Sequence, residues 1–261
     1  MDSISTETDA YVAALEYHKR RCVSDAGRAY QDALTQSPPR QPTQDEIELI
    51  LRHAPRVFTT PSEPLPLKDF AAVLHPQLPL IGYHFFWEDD IDFPLDRDPC
   101  DHEVIWVQLD AEYTTVENVF TYYHSHVLSF PAAVDDACAH AGRPRVEVQW
   151  GKHGSMPLGW QEIADGAVLA DMQRTYERLH TQGARDAGHP LARNWPTHFT
   201  GSWEDFVDFS HEVDPRRLLQ QNQMMMVSEL ANAVIFWYFL RYNFCPKYSW
   251  PALERPGEGV W

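Results

Sequence analysis

Between Thr6 and about Leu34, Tyr11, Leu15 and His18 recur at three- and four-residue spacing, with alanine-rich stretches between them. That period places them on one stripe of a helix, and alanine favours the helical backbone. Ser37, Pro38, Pro39 and Pro42 stop the pattern. A second helix starts at Thr43, because Glu46 stands three residues later and can close a capping box ahead of Ile47, Leu49, Ile50 and Leu51. His53 to Pro66 reads as a loop and Leu67 to Leu74 as a short helical turn. Residues 1–78 are therefore predicted to be a helical segment packed on a core formed by 79–261, the whole being one compact domain.

At Leu80 the period becomes two. Ile81, Tyr83, Phe85 and Trp87 alternate with Gly82, His84, Phe86 and Glu88, a strand with both faces largely apolar. An acidic, proline-bounded loop from Glu88 to Pro99 leads to a second strand, His102 to Asp110, with Glu103, Ile105, Val107 and Leu109 on one face. Further strands are predicted at Val116–Leu128 and Arg145–Trp150. The first two strands have no room for a crossover helix between them, so the fold class is α+β, with an antiparallel β-sandwich core. Helical spacing returns at Ala167–Leu179, and a long, buried C-terminal helix is predicted after Asp214 and Pro215, running to about Tyr242. Its Met224–Leu240 stretch is mostly apolar, yet Glu229 and Asn232 near its middle favour a protein interior over a bilayer, so membrane association is not favoured.

Charge narrows the functional classes. The 38 Asp and Glu outnumber the 21 Lys and Arg, and a net charge of -17 repels a phosphate backbone, which excludes nucleic acid as a partner. Cys22, Cys100, Cys138 and Cys245 form no CxxC pair, so neither structural zinc nor a disulfide scaffold is indicated. The first residues, MDSISTETDAYVAAL, are acidic and polar where a secretion leader would be basic and then apolar, and a cytoplasmic location is expected.

The chemistry concentrates between Asp101 and Pro157. Asp101, His102 and Glu103 open a strand; His124 and His126 lie in YYHSHVL; His153 lies in GKHGSMP. In extended chain His124 and His126 present their rings to one side, as do the carboxylates of Asp101 and Glu103. Mixed imidazole and carboxylate donors suit a divalent zinc, iron or manganese ion, and suit magnesium less. The expected ligands are two or three of His102, His124, His126 and His153, together with Glu103, although a regular strand points His102 and Glu103 to opposite faces. Glu103, Tyr122, Lys152 and Glu229 are the candidate catalytic groups, as proton carriers or anion stabilisers. No GxSxG elbow, P-loop or dinucleotide fingerprint is present.

These stretches, CDHEVIWVQLD, YYHSH and GKHGSMP, resemble the β-sandwich superfamily of Vps62-related and necrosis-inducing NPP1-like proteins, over about 75 residues from Tyr83 to Pro157. The resemblance implies a metal-containing sandwich with a histidine and acidic run beside a tryptophan. Aligned on His102 and Glu103, the chain departs from it at Ile105 and Val107, where that family carries acids; aligned on Asp101 and Glu103 as the acid pair, it departs at His102, in place of a tryptophan, and at Asp98, in place of a histidine. The expectation is a metal-dependent enzyme acting on a small, partly apolar substrate by hydrolase, lyase, isomerase or cyclase chemistry. The alternative is a non-catalytic, metal-containing binding or membrane-associated protein.

Overall fold

The computed structural model describes residues 9–91, 100–184, 194–239, 247 and 249–251. Helices α1 (Asp9–Lys19) and α2 (Val23–Gln36) replace the single first helix, and the break falls where Arg21 takes a left-handed φ of 61°. Helix α3 (Gln44–His53) starts as the sequence predicts: the Thr43 side chain accepts from the Glu46 backbone N–H, and the Glu46 carboxylate accepts from that of Thr43. The following segment departs from the expected loop and helical turn. It forms strands β1 (Arg56–Thr59) and β2 (Leu67–Leu74), so the first 78 residues contribute to the sheets and are not a purely helical addition. In β2 the period-two signal is hidden because both faces are buried: Phe70, Ala72 and Leu74 enter one apolar cluster, while Ala71 and Val73 enter another.

Strands β3 (Leu80–Trp87) and β4 (Asp101–Leu109) lie where the alternation places them. The loop predicted between them falls mostly on 92–99, outside the described residues. The predicted strand Val116–Leu128 is a hairpin, β5 (Val116–Tyr123) and β6 (His126–Leu128), turning through His124 (φ 43°) and Ser125 (φ 73°). Helix α4 (Pro131–Ala139) follows, opened by a proline whose missing N–H costs nothing at a helix start. Then come β7 (Arg145–Val148), β8 (Ser155–Pro157), an irregular turn at Trp160–Gly166 and helix α5 (Ala167–Thr181).

The long C-terminal helix is not formed. Its segment divides into α7 (Arg216–Asn222), β10 (Met225–Val227) and α8 (Ala231–Phe239), after a short α6 (Trp203–Phe206) and β9 (His211–Val213). Asp214 does accept from the Arg216 backbone N–H, as a capping residue would. Gln223, at φ 50°, then ends α7, and Met225–Val227 pair in parallel with Ala72–Leu74. Edge pairing with β2 outweighs helical continuity here. Among the described residues no helix is long and apolar enough to cross a membrane.

The strands form two mixed sheets, ordered β8-β7-β1-β9 and β10-β2-β3-β4-β5-β6. The β2–β6 meander is antiparallel as expected, whereas β1 with β7 and β2 with β10 are parallel. The largest core cluster draws Val57, Val146 and Val148 from the first sheet and Phe70, Tyr83, Ile105 and Val119 from the second. Helices α1, α2 and α8 cover the other face of the larger sheet through Tyr30, Val73, Phe86 and Phe236.

A candidate acid-base site at the start of β4

Alternation along β4 separates its ionisable side chains. Asp101 and Glu103 fall on one face, opposite Trp87 and Phe85 of β3, while His102 falls on the other, opposite Phe86. The ladder between β4 and β5 begins only at Ile105, so the first four residues of β4 pair with β3 alone. This leaves one edge at which other segments can reach the carboxylates.

From the smaller sheet comes His153, in the tight turn after β7. Its backbone is left-handed (φ 55°), and its buried ring stacks parallel on Trp87 at 4.4 Å. Nδ1 donates to Asp101 Oδ2 at 2.9 Å and Nε2 to Glu63 Oε1 at 3.3 Å, so both nitrogens carry protons and the ring is an imidazolium. Burial alone would lower its pKa; the Glu63 charge and the hydrogen bonds to Asp101 and Glu63 outweigh that and raise it to about 10. Glu63 is fixed in turn, since it accepts from the backbone N–H groups of Leu65 and Gly151. Gly154 permits the turn: a Cβ there would lie 2.8 Å from the Tyr123 ring.

Across the open edge stands Lys247. Its backbone carbonyl accepts from the Asn232 side chain of α8, and the next described residue, Ser249, accepts from the Trp106 indole. So held, Lys247 Nζ lies 3.3 Å from Glu103 Oε1 and 4.7 Å above the Tyr122 ring. Glu103 is 4% exposed, and its Oε2 has no hydrogen-bond partner among the described residues. Desolvation pushes its pKa up to about 8 against the opposing pull of Lys247. The arrangement is a buried carboxyl group whose burial holds its proton to higher pH than usual, with one oxygen unpartnered among the described residues and Lys247 beside the other. It can give or take a proton near neutral pH.

Other candidates lie elsewhere. His102 packs on the opposite face, stacked on Phe86, with Nε2 at 3.1 Å from Nδ1 of His84, whose pKa burial lowers to about 3. His124 occupies the β5–β6 turn, so the period-two relation to His126 is lost. Its Nδ1 donates to Asp171 at 2.9 Å and its Nε2 to Gln149 Oε1 at 2.8 Å, the latter oriented by its own bond to Met172. The Tyr123 hydroxyl joins this second network through Asp171. His126 lies half-buried at the first position of β6. Lys152 pairs with Asp90 at 3.6 Å. Glu229, read as an acid inside a helix, precedes α8, is half-buried and accepts from Gln77. The predicted ligands therefore do not converge. His153 and His124 have both ring nitrogens on protein acceptors, and among the described residues no group of three or more His, Cys, Asp and Glu side chains is disposed to hold a metal ion. Among the described residues these side chains are not gathered around one point.

Glu63 and Lys247, which complete the site, were not among the candidates. Glu63 sits in a proline-rich loop with no motif, and Lys247 follows Pro246 in an irregular tail. The one usable signal was Asn232, whose amide in an apolar helix had to hold something and holds the Lys247 carbonyl. No family model, curated protein or solved structure matches the chain.

Proposed function

We propose that the protein is an enzyme acting on a small, partly apolar substrate, with Glu103 as the group that moves a proton. The observation that carries this reading is a carboxyl group 4% exposed, with one oxygen 3.3 Å from Lys247 and the other unpartnered among the described residues. Such an acid protonates a leaving oxygen or removes a proton beside a carbonyl, and Lys247 balances the charge that forms. Asp101, His153 and Glu63 hold the surrounding charges fixed, and the aromatic rings of Trp87, Phe85 and Tyr122 keep the local dielectric low. Lyase, isomerase and hydrolase reactions share this step. We read the core shared by the two sheets as the interior of a β-sandwich, with the site at one end.

The test has two arms. Solvent deuterium exchange and product formation would be followed over a panel of small esters, hydroxy acids and enolisable ketones. Glu103→Gln should slow any turnover about 10²-fold or more. Carbon NMR of labelled glutamate should place the Glu103 midpoint near 8. Equal turnover in the variant, or an ordinary carboxylate midpoint, refutes the reading.

A metal-dependent enzyme using a zinc, iron or manganese ion is the second reading, favoured by one observation: the buried Glu103 Oε2 has no partner among the described residues. Occupancy would require His153 to surrender a proton. Zinc titration should then release protons, and an absence of both release and retained zinc removes this reading.

A further inference from the structure

A different part of the molecule presents a cleft with a charged floor and aromatic walls. The face of β7 opposite the main core bears Arg145 and Glu147, because side chains two apart share a face. Arg145 and Glu147 form the floor of a cleft of about 270 Å³ walled by Trp160, Trp203 and Phe209, with exposed Gln161 also lining it. The floor is built. Arg145 Nε donates to Glu147 Oε1 at 2.8 Å and Nη2 to the Phe209 carbonyl at 2.7 Å, its guanidinium lies 3.8 Å over the Phe58 ring, and Trp160 donates to Glu147 Oε2 at 2.7 Å. Two donors on residues that line the cleft, Arg145 Nη1 and the Trp203 indole N–H, make no hydrogen bond among the described residues.

The segment beside the cleft is also strained, a few residues along the chain from Gln161. The turn Trp160–Gly166, which supplies Trp160 and Gln161, holds Ala164 and Asp165 consecutively at φ 51° and 52°. Left-handed non-glycine residues cost about 1–2 kcal/mol each, and such strain concentrates where a ligand is held.

We propose that this cleft binds a small, uncharged, planar aromatic molecule bearing an oxygen acceptor. The aromatic walls select a flat π-system, and Arg145 Nη1 and the Trp203 N–H select the oxygen. Charge selects neutrality: Arg145 and Glu147 cancel, so a cation meets the guanidinium, while an anion meets Glu147 in a chain of net charge -17. The volume equals about nine waters, enough for a bicyclic ring with one substituent.

Indole-3-carboxamide is the probe, compared with indole, indole-3-carboxylate and tetramethylammonium by ligand-observed NMR and calorimetry. The carboxamide should saturate and bind at least about tenfold more tightly than each comparator. Trp203→Ala should cost about tenfold, and Arg145→Lys should erase the preference over indole. Gln161→Trp, a substitution at an exposed position, should block the mouth with the fold and melting temperature unchanged, so a failure of Trp203→Ala to fold leaves the test intact. Failure of the carboxamide to saturate, tighter binding of either charged probe, or unchanged affinity in folded Gln161→Trp overturns the proposal.

Discussion

His153 and His124 each donate to a carboxylate at 2.9 Å, each stack on an aromatic ring and each have a left-handed backbone, yet they stand in different surroundings. The His153 side chain is 0% exposed and lies between two acids, whereas that of His124 is 28% exposed at a hairpin tip, with Asp171 also in contact with the exposed Arg174. Water screens the second network more than the first, so contacts of the same geometry are stronger in the buried one. The acid-base reading of Glu103 belongs to the buried network for this reason. A neutral carboxylic acid persists beside a lysine only where solvent cannot stabilise the anion.

The comparison can be broken most forcefully at Glu63. Glu63→Ala leaves a buried imidazolium with one acid in place of two and should cost about 3–5 kcal/mol in urea denaturation; a loss below 1 kcal/mol would mean that His153 is not charged. Stability against pH separates the networks next. Unfolded, Glu103 loses its proton near 4.5 and His153 near 6.5, whereas folded they keep it to about 8 and about 10. The folded state thus holds extra protons across both windows, and melting temperature should fall as pH rises from about 5 to 10, with Glu103→Gln lacking the part between 4.5 and 8.

Asp171 has the opposite sign. The hydrogen bond from His124 holds its pKa below the ordinary 3.8, so its contribution is present above that pH and lost in acid. Asp171→Asn should cost about 1 kcal/mol or less at neutral pH and flatten the acid limb of the melting profile, because the pair is partly solvated. The smallest effect is expected at the hairpin tip. Ser125→Gly relieves a φ of 73° and should gain about 0.5 kcal/mol after the added unfolded-state freedom is subtracted, as read from the denaturation midpoint. A loss there would show that the serine hydroxyl has an anchoring role.

Local signals were legible where a single element decides the outcome. Thr43 and Glu46 announced α3, and the alternation Ile81–Trp87 announced β3, because each pattern is satisfied within a few residues. Leu67–Leu74 was misread because a strand buried on both faces has no polar face to mark its period. His124 and His126 were read as neighbours on one strand because YYHSHV contains no glycine or asparagine to signal a turn. Stacking on Tyr123 and the bonds to Asp171 and Gln149 hold the strained backbone there. Of the site, Asp101, Glu103 and His153 were in view, while Glu63 and Lys247 were not, since loop and tail residues acquire their role only when the chain brings them to β4.

The sequence by itself determined the α+β class, the central antiparallel strands and the concentration of ionisable groups between Asp101 and His153, since periodicity and residue type are properties of short stretches. Tertiary structure alone decided which of those groups meet. Burial, pairing at 3 Å and the side of a sheet on which a ring lies depend on segments as far apart in the chain as Glu63, Glu103 and Lys247, and no local pattern encodes that distance.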